Sequence, residues 1–210
     1  MLRKLLILLI LGLPAAALGQ SIDTTYNNQI KVSAVRPFNY LNPAIEISYE
    51  RLHNKRLSSQ LSLGSPANLF GKPYIELKGY SIGFEEKYFT RSSLTSRKYF
   101  SLDFNYTNIN YKDITTGRDT ATNAFIIDSF TIRRKMQAVA IKYGAQFYRK
   151  HFVLDISIGA GLKYKDVKHY DRTYEYRGPR EIFDLMRASN VEKKGFAFIL
   201  PLNLRLGYSF

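Results

Sequence analysis

The chain has 210 residues, no cysteine, no tryptophan and a formal net charge of +14. The length fits a single domain, and the absence of cysteine excludes disulfide staples and thiolate chemistry. A basic excess of this size alone fits nucleic acid, but the first residues of the chain direct it elsewhere. Arg3 and Lys4 precede an apolar run, Leu5 to Leu13, then Pro14 and the small residues of Ala17-Leu18-Gly19. This order predicts a signal peptide over 1–19 with cleavage before Gln20. The run is far shorter than the ~20 residues a spanning helix needs. No cysteine follows Gly19, so a lipid anchor there is not expected. Without Arg3 and Lys4 the net charge falls from +14 to about +12.

Residues 20–29 form a short polar periplasmic segment, and the rest, 30–210, alternates apolar with small or polar side chains. Such alternation marks strands with one apolar face. Strand one is predicted over 30–36 (Ile30, Val32, Ala34) and strand two over 44–52, with Ile45, Ile47 and Tyr49 against Glu46, Ser48 and Glu50. Strand three covers 57–64, and strand four 74–89, with Tyr80, Ile82 and Phe84 on its apolar face. Strand five carries Phe100, Leu102, Phe104 and Tyr106. Strand six covers 131–149 and strand seven 152–165. Connections after strands two (53–56) and six (150–151) are tight, and that after four (90–98) is middling. Those after five (112–129) and seven (166–194) are long.

The eighth strand covers residues 195–210. Counting back by twos gives Phe210, Tyr208, Leu206, Leu204, Leu202, Leu200, Phe198 and Phe196, all large and apolar. Pro201 interrupts it and predicts either a bulge or a lost ladder hydrogen bond. An alternating final strand that ends on an aromatic residue resembles the assembly signal of bacterial outer-membrane β-barrels. That resemblance implies recognition of Phe210, Tyr208 and Leu206 by the barrel-assembly machinery. Eight strands with short turns on one side and longer loops on the other predict an all-β, up-and-down antiparallel transmembrane barrel. Lipocalin-like barrels share the strand number but point the apolar face inward. The aromatic load and loop asymmetry favour the apolar face outward, in an outer membrane.

The stretch KVSAVRPFNYLNPAIEISYERLHNKRLSSQLSL, residues 31–63, is similar to the opening hairpin of a family of small Bacteroidota outer-membrane barrels of OmpA- and OmpX-like architecture. That family is known only as a domain of unknown function. The resemblance implies fold and location and supplies no catalytic residue.

An eight-stranded barrel has an interior filled by side chains. The inward set includes Lys31, Lys87, Lys142, Lys163, Lys165 and Arg205 with Glu46, Glu50, Glu85, Asp103 and Asp155. Charges confined there are expected to pair across the lumen. Most simply they form a plug; alternatively Arg205 exchanges partners such as Glu46 or Glu50 and gates a narrow path for small solutes. The loop over 166–194 interleaves Lys168, Arg172, Arg177 and Arg180 with Tyr170, Tyr174 and Tyr176. On an exported barrel this composition points to lipopolysaccharide phosphate rather than nucleic acid. His53, His151 and His169 fall in separate connections, so no metal site and no cofactor are expected. A lipid-modifying enzyme would have to use His169 with Asp166, Asp171 or Ser189, and nothing in their spacing recommends them.

Overall fold

The computed structural model describes residues 26–38, 43–67, 75–93, 95–118, 125–171 and 192–210. The expected signal peptide lies outside them. The strand segments are β1 (Asn28–Ser33), β2 (Ala44–Leu52), β3 (Leu57–Pro66), β4 (Ile75–Ser92), β5 (Ser96–Arg118), β6 (Phe125–Arg149), β7 (Phe152–Tyr170), β8 (Lys193–Ile199) and β9 (Leu202–Ser209). Sequential neighbours pair antiparallel from β1 to β7, and β7 continues onto β8 and β9. The ring closes through β1 and β9, with Ile30 opposite Tyr208 and Ser33 opposite Arg205. β8 and β9 are halves of one stave, so the barrel has eight staves.

Pro201 breaks that stave without shifting it. Ile158 pairs with Leu202 and Gly161 with Ile199, leaving two residues on each side between the matched pairs. The expected bulge is therefore absent at Pro201. The Pro201 carbonyl still accepts a hydrogen bond from the Gly159 amide at 3.0 Å. What proline removes is its own donor.

The two faces settle which side meets lipid. Ile158 is 61% exposed and Leu202 58%, whereas Lys31 and Glu50 are fully buried. Exposed Ile, Leu and Phe side chains cover the outer wall, and Lys31, Glu46, Glu50, Glu85, Lys87, Lys142, Asp155 and Arg205 are buried on the inward face. Only a lipid environment makes that arrangement favourable. Aromatic residues mark both edges of the apolar band. Tyr49, Tyr88, Phe152 and Tyr208 lie near the side of the short turns. Tyr80 with Tyr106 (centroids 6.0 Å apart) and Tyr164 with Phe196 (5.2 Å) lie near the other. This is the double girdle of transmembrane barrels.

The short-turn side is more compact than expected. β4 and β5 run to Ser92 and from Ser96, so the predicted middling connection over 90–98 is a tight one. The Ser93 amide donates to the Ser96 carbonyl at 2.7 Å. In the turn after β2, the Asn54 side-chain oxygen accepts from the amides of Arg56 (2.8 Å) and Leu57 (2.9 Å), an Asx turn. Lys150 takes a φ of +52°, as a two-residue hairpin loop demands.

The opposite side departs more. β1 stops at Ser33 and a short 3-10 turn, Arg36–Phe38, follows. Residues 112–118 and 125–129, expected in a loop, are strand. The β5–β6 ladder runs unbroken from Ser96 opposite Phe147 to Arg118 opposite Phe125. Beyond the membrane a strand needs no apolar outer face, so its alternation fades while its backbone pairing continues. β4–β7 therefore rise above the band, 18 to 25 residues long against 6 to 10 for β1–β3. In this extension the inner face becomes apolar: Ile109, Tyr111, Phe130, Ile132 and Val167 form a buried cluster with Leu77 against it.

Candidate functional site

The lumen holds two stacked layers of paired charges. The layer nearer the short turns joins Lys31 of β1, Glu50 of β2, Lys87 of β4 and Asp155 of β7. Lys31 Nζ lies 2.5 Å from Glu50 Oε2 and 2.6 Å from Asp155 Oδ2; Lys87 Nζ lies 2.7 Å from each of the same two oxygens. All four side chains are at most 1% exposed. Buried charges are tolerated only when their remaining lone pairs and protons are also satisfied. Here Ser58 donates to Glu50 at 2.7 Å and Tyr99 to Asp155 at 2.6 Å. Gln146 donates to both carboxylates, and Lys87 also reaches the Gln60 oxygen at 2.9 Å. Tyr99 fits because residue 144 is glycine. A Cβ there would lie 2.5 Å from the Tyr99 ring and 2.7 Å from the Ile156 carbonyl.

The second layer is looser. Arg205 of β9 spans Glu85 at 3.1 Å and Glu46 at 3.4 Å. Lys142 of β6 pairs with Glu85 at 2.8 Å and Asp103 at 3.4 Å. Arg36 swings in from the turn after β1 to reach Glu46 at 3.0 Å. The Arg36 side chain is 21% exposed and that of Asp103 17%. Across both layers five cations (Lys31, Arg36, Lys87, Lys142, Arg205) meet five carboxylates (Glu46, Glu50, Glu85, Asp103, Asp155). The cluster is neutral, and every member has a partner of opposite sign.

Below it the mouth is capped. The Arg97 guanidinium sits 5.7 Å from the Phe89 ring centroid and 5.4 Å from that of Tyr148. Phe89 meets Tyr99 edge-on, and Leu52 and Val153 are buried beside them. Tyr148 donates to the Gln146 side-chain oxygen and accepts from Gln29. The sequence reading did not single out this cap. Its signal was an aromatic residue in the polar register: Phe89 shares the parity of Glu85 and Lys87.

Residues 11–184 match the family described as "Protein of unknown function (DUF3575)". The chain belongs to that family. No curated protein matches it in sequence. Among solved structures it is similar to the N-terminal β-barrel domain of Pseudomonas aeruginosa OprF. Identity there is 14%, over 88% of this chain and 98% of that one, with a TM-score of 0.41. It is also similar to a major outer membrane protein from Thermus thermophilus. There identity is 12%, over 89% of this chain and all of the other, with a TM-score of 0.45.

For this member of the family, the predicted lumen residues divide. Lys31, Glu46, Glu50, Asp103, Lys142, Asp155 and Arg205 all enter the paired layers, and Glu85 and Lys87 are as central as any of them. Arg205 meets Glu46 but not Glu50, which belongs to the other layer. Lys163 faces inward but stands apart, half-buried above both layers. Of the surface set, Lys168 is exposed on the outer face of β7; Arg172, Tyr174, Arg177 and Arg180 lie outside the described residues. Leu206, Tyr208 and Phe210 point outward. Tyr208 stacks on His151 with centroids 5.0 Å apart, and the Phe210 amide donates to the Asn28 carbonyl at 2.9 Å.

The histidines sit apart. His151 lies between Tyr26 and Tyr208, and His169 packs against Phe130. Asp166 pairs with Lys194 rather than with His169, and Ser189 lies outside the described residues. His53 does more than the sequence suggested. Its Nε2 lies 2.7 Å from Ser59 Oγ, which donates to Glu86 at 2.6 Å. This chain of contacts satisfies a carboxylate on the outer wall. The strand amides around Ser59 are spent in the ladders to β2 and β4, so no oxyanion-binding donors accompany the hydroxyl. Among the described residues no group of His, Cys, Asp or Glu is placed to hold a metal ion.

Proposed function

We propose that this chain is a non-enzymatic outer-membrane barrel with a sealed lumen that acts at the cell surface, in envelope integrity or surface interaction. The observation that carries this reading is the neutral, fully paired cluster above an aromatic cap: among the described residues it leaves no base, nucleophile or open path inside the wall. Because the cluster is neutral, the excess of about +12 on residues 20–210 resides elsewhere, part of it toward the long-loop side. There Lys168 and the basic, tyrosine-bearing loop meet the phosphate groups of lipopolysaccharide, with cations on phosphate and tyrosine rings at the interface. Cells lacking the gene and supplied with a chain lacking 172–191 are expected to keep the envelope defect of the deletion, measured as detergent and antibiotic sensitivity. Full rescue by that shortened chain, with failure of Arg205→Ala to rescue, would move the function into the lumen.

A second reading, a narrow gated channel, is favoured by the looser layer. Arg205 is shared between two carboxylates and Arg36 is partly exposed, so partners could exchange there at lower cost than in the layer below.

A further inference from the structure

The charges of the lumen cancel, and those of the short-turn rim do not. Arg51, Arg56, Arg91, Lys98, Arg149 and Lys150 are all exposed at that end. Among the described residues Glu86 is the one carboxylate side chain on the outer surface there, and Ser59 donates to it at 2.6 Å.

Two of these cations are forced together. Phe89 pairs with Tyr99 and the next matched pair is Arg91 with Lys98, so Thr90 is an extra residue on β4. A bulge of this kind re-aims the side chain that follows it. Simple alternation would put Arg91 on the inward side with Phe89. The bulge turns it outward, directly opposite Lys98, and both side chains are exposed. The Thr90 hydroxyl donates to the Lys98 carbonyl at 3.3 Å and ties the bulge to β5. Side chains directly opposed across two strands have Cβ atoms about 4.5–5.5 Å apart, and like charges there are destabilising. Among the described residues neither cation has a carboxylate within ion-pair distance. Glu86 lies on the same strand as Arg91, but Tyr88 stands between it and the bulge. Arg56 adds a third cation. Its carbonyl accepts from the Phe89 amide at 2.8 Å, which sets it beside the bulge.

Their depth points to what neutralises them. Tyr88 and Phe100 are exposed at the lower edge of the apolar band. Lys98 lies one outward step beyond Phe100, about 7 Å along the strand, and Arg91 lies beyond Tyr88. Acyl chains end at such rings, and headgroup phosphates begin just past them. Long cationic side chains reach along the surface to that level. A guanidinium takes two phosphate oxygens in a planar fork, and an ammonium takes a third. We propose that the Arg91–Lys98 pair, with Arg56 beside it, clamps the phosphate of an anionic phospholipid in the leaflet on the short-turn side. The clamp rests on the barrel lying in a membrane and not on the surface role of Lys168 and the long loop, which belong to the opposite end.

The full chain in neutral-detergent micelles, titrated with phosphatidylglycerol and followed by native mass spectrometry, is expected to retain about one lipid saturably and in preference to phosphatidylcholine. Arg91→Gln and Lys98→Gln should each weaken retention by about tenfold, as loss of a charge-assisted contact does. Lys98→Arg should keep it, and Lys168→Gln, many Debye lengths of detergent and water away, should change it by less than about twofold. Arg91→Glu should abolish it while leaving the urea midpoint at or above that of wild type, because the new carboxylate pairs with Lys98 across the strands. That variant separates lipid binding from folding. Equal retention of phosphatidylglycerol and phosphatidylcholine, full displacement by inorganic phosphate, or preference for lipid A would overturn the proposal. So would equal weakening by Lys168→Gln and Lys98→Gln. A chain that stays soluble without detergent would instead overturn the membrane placement on which the clamp rests.

Discussion

Asp155→Ala is expected to lower the stability of the barrel by about 3–5 kcal/mol, the cost of removing one partner from a buried ion pair. The carboxylate accepts from Lys31, Lys87, Tyr99 and Gln146 at 2.6 to 3.2 Å. Without it, Glu50 is the one carboxylate left in contact with two buried ammonium groups, and Tyr99 loses its acceptor. The loss should be partly reversed when Lys31→Met is added, because one stranded cation is then gone. Urea unfolding from lipid vesicles, followed by far-ultraviolet circular dichroism, reads both variants. Purely additive losses would mean that Asp155 acts by packing rather than by neutralising its neighbours.

Ile158→Arg should cost about 2–4 kcal/mol in the same assay, as a cation on the lipid face at mid-depth does. Ile158 lies midway between Phe152 and Tyr164 on β7, and it is 61% exposed on the outer wall. Tyr170→Arg, on the same strand above the band, should cost less than about 1 kcal/mol. Depth, not exposure, separates the two sites. Equal effects would mean that the apolar wall does not face hydrocarbon.

These two sites also show what was legible beforehand. Ile158 and Asp155 belong to opposite faces of one alternating strand, so the sequence placed both correctly: a period of two assigns every residue between Phe152 and Tyr164 to a side. Strand number and the tight turn at Lys150 followed from the same pattern. Which cation meets which carboxylate did not. Partners such as Lys31 and Asp155 come from strands separated by most of the chain, and their pairing depends on stagger around the closed ring. Glu50 and Arg205 share the inward face with all the others but sit at different heights, which alternation cannot report. Hairpin extension beyond the membrane was hidden for a different reason. Outside lipid both faces can be polar, so residues 112–118 look like loop while pairing as strand.

The most direct test is electrical. In the proposed reading, two neutral layers and an aromatic cap close the lumen. Purified wild type inserted in a planar bilayer should therefore show no discrete openings. Arg205→Ala should stay silent too, because the node of Lys31, Glu50, Lys87 and Asp155 still blocks the path. Stepwise openings in wild type that change in amplitude or frequency in Arg205→Ala would contradict the sealed lumen and make the paired charges a gate.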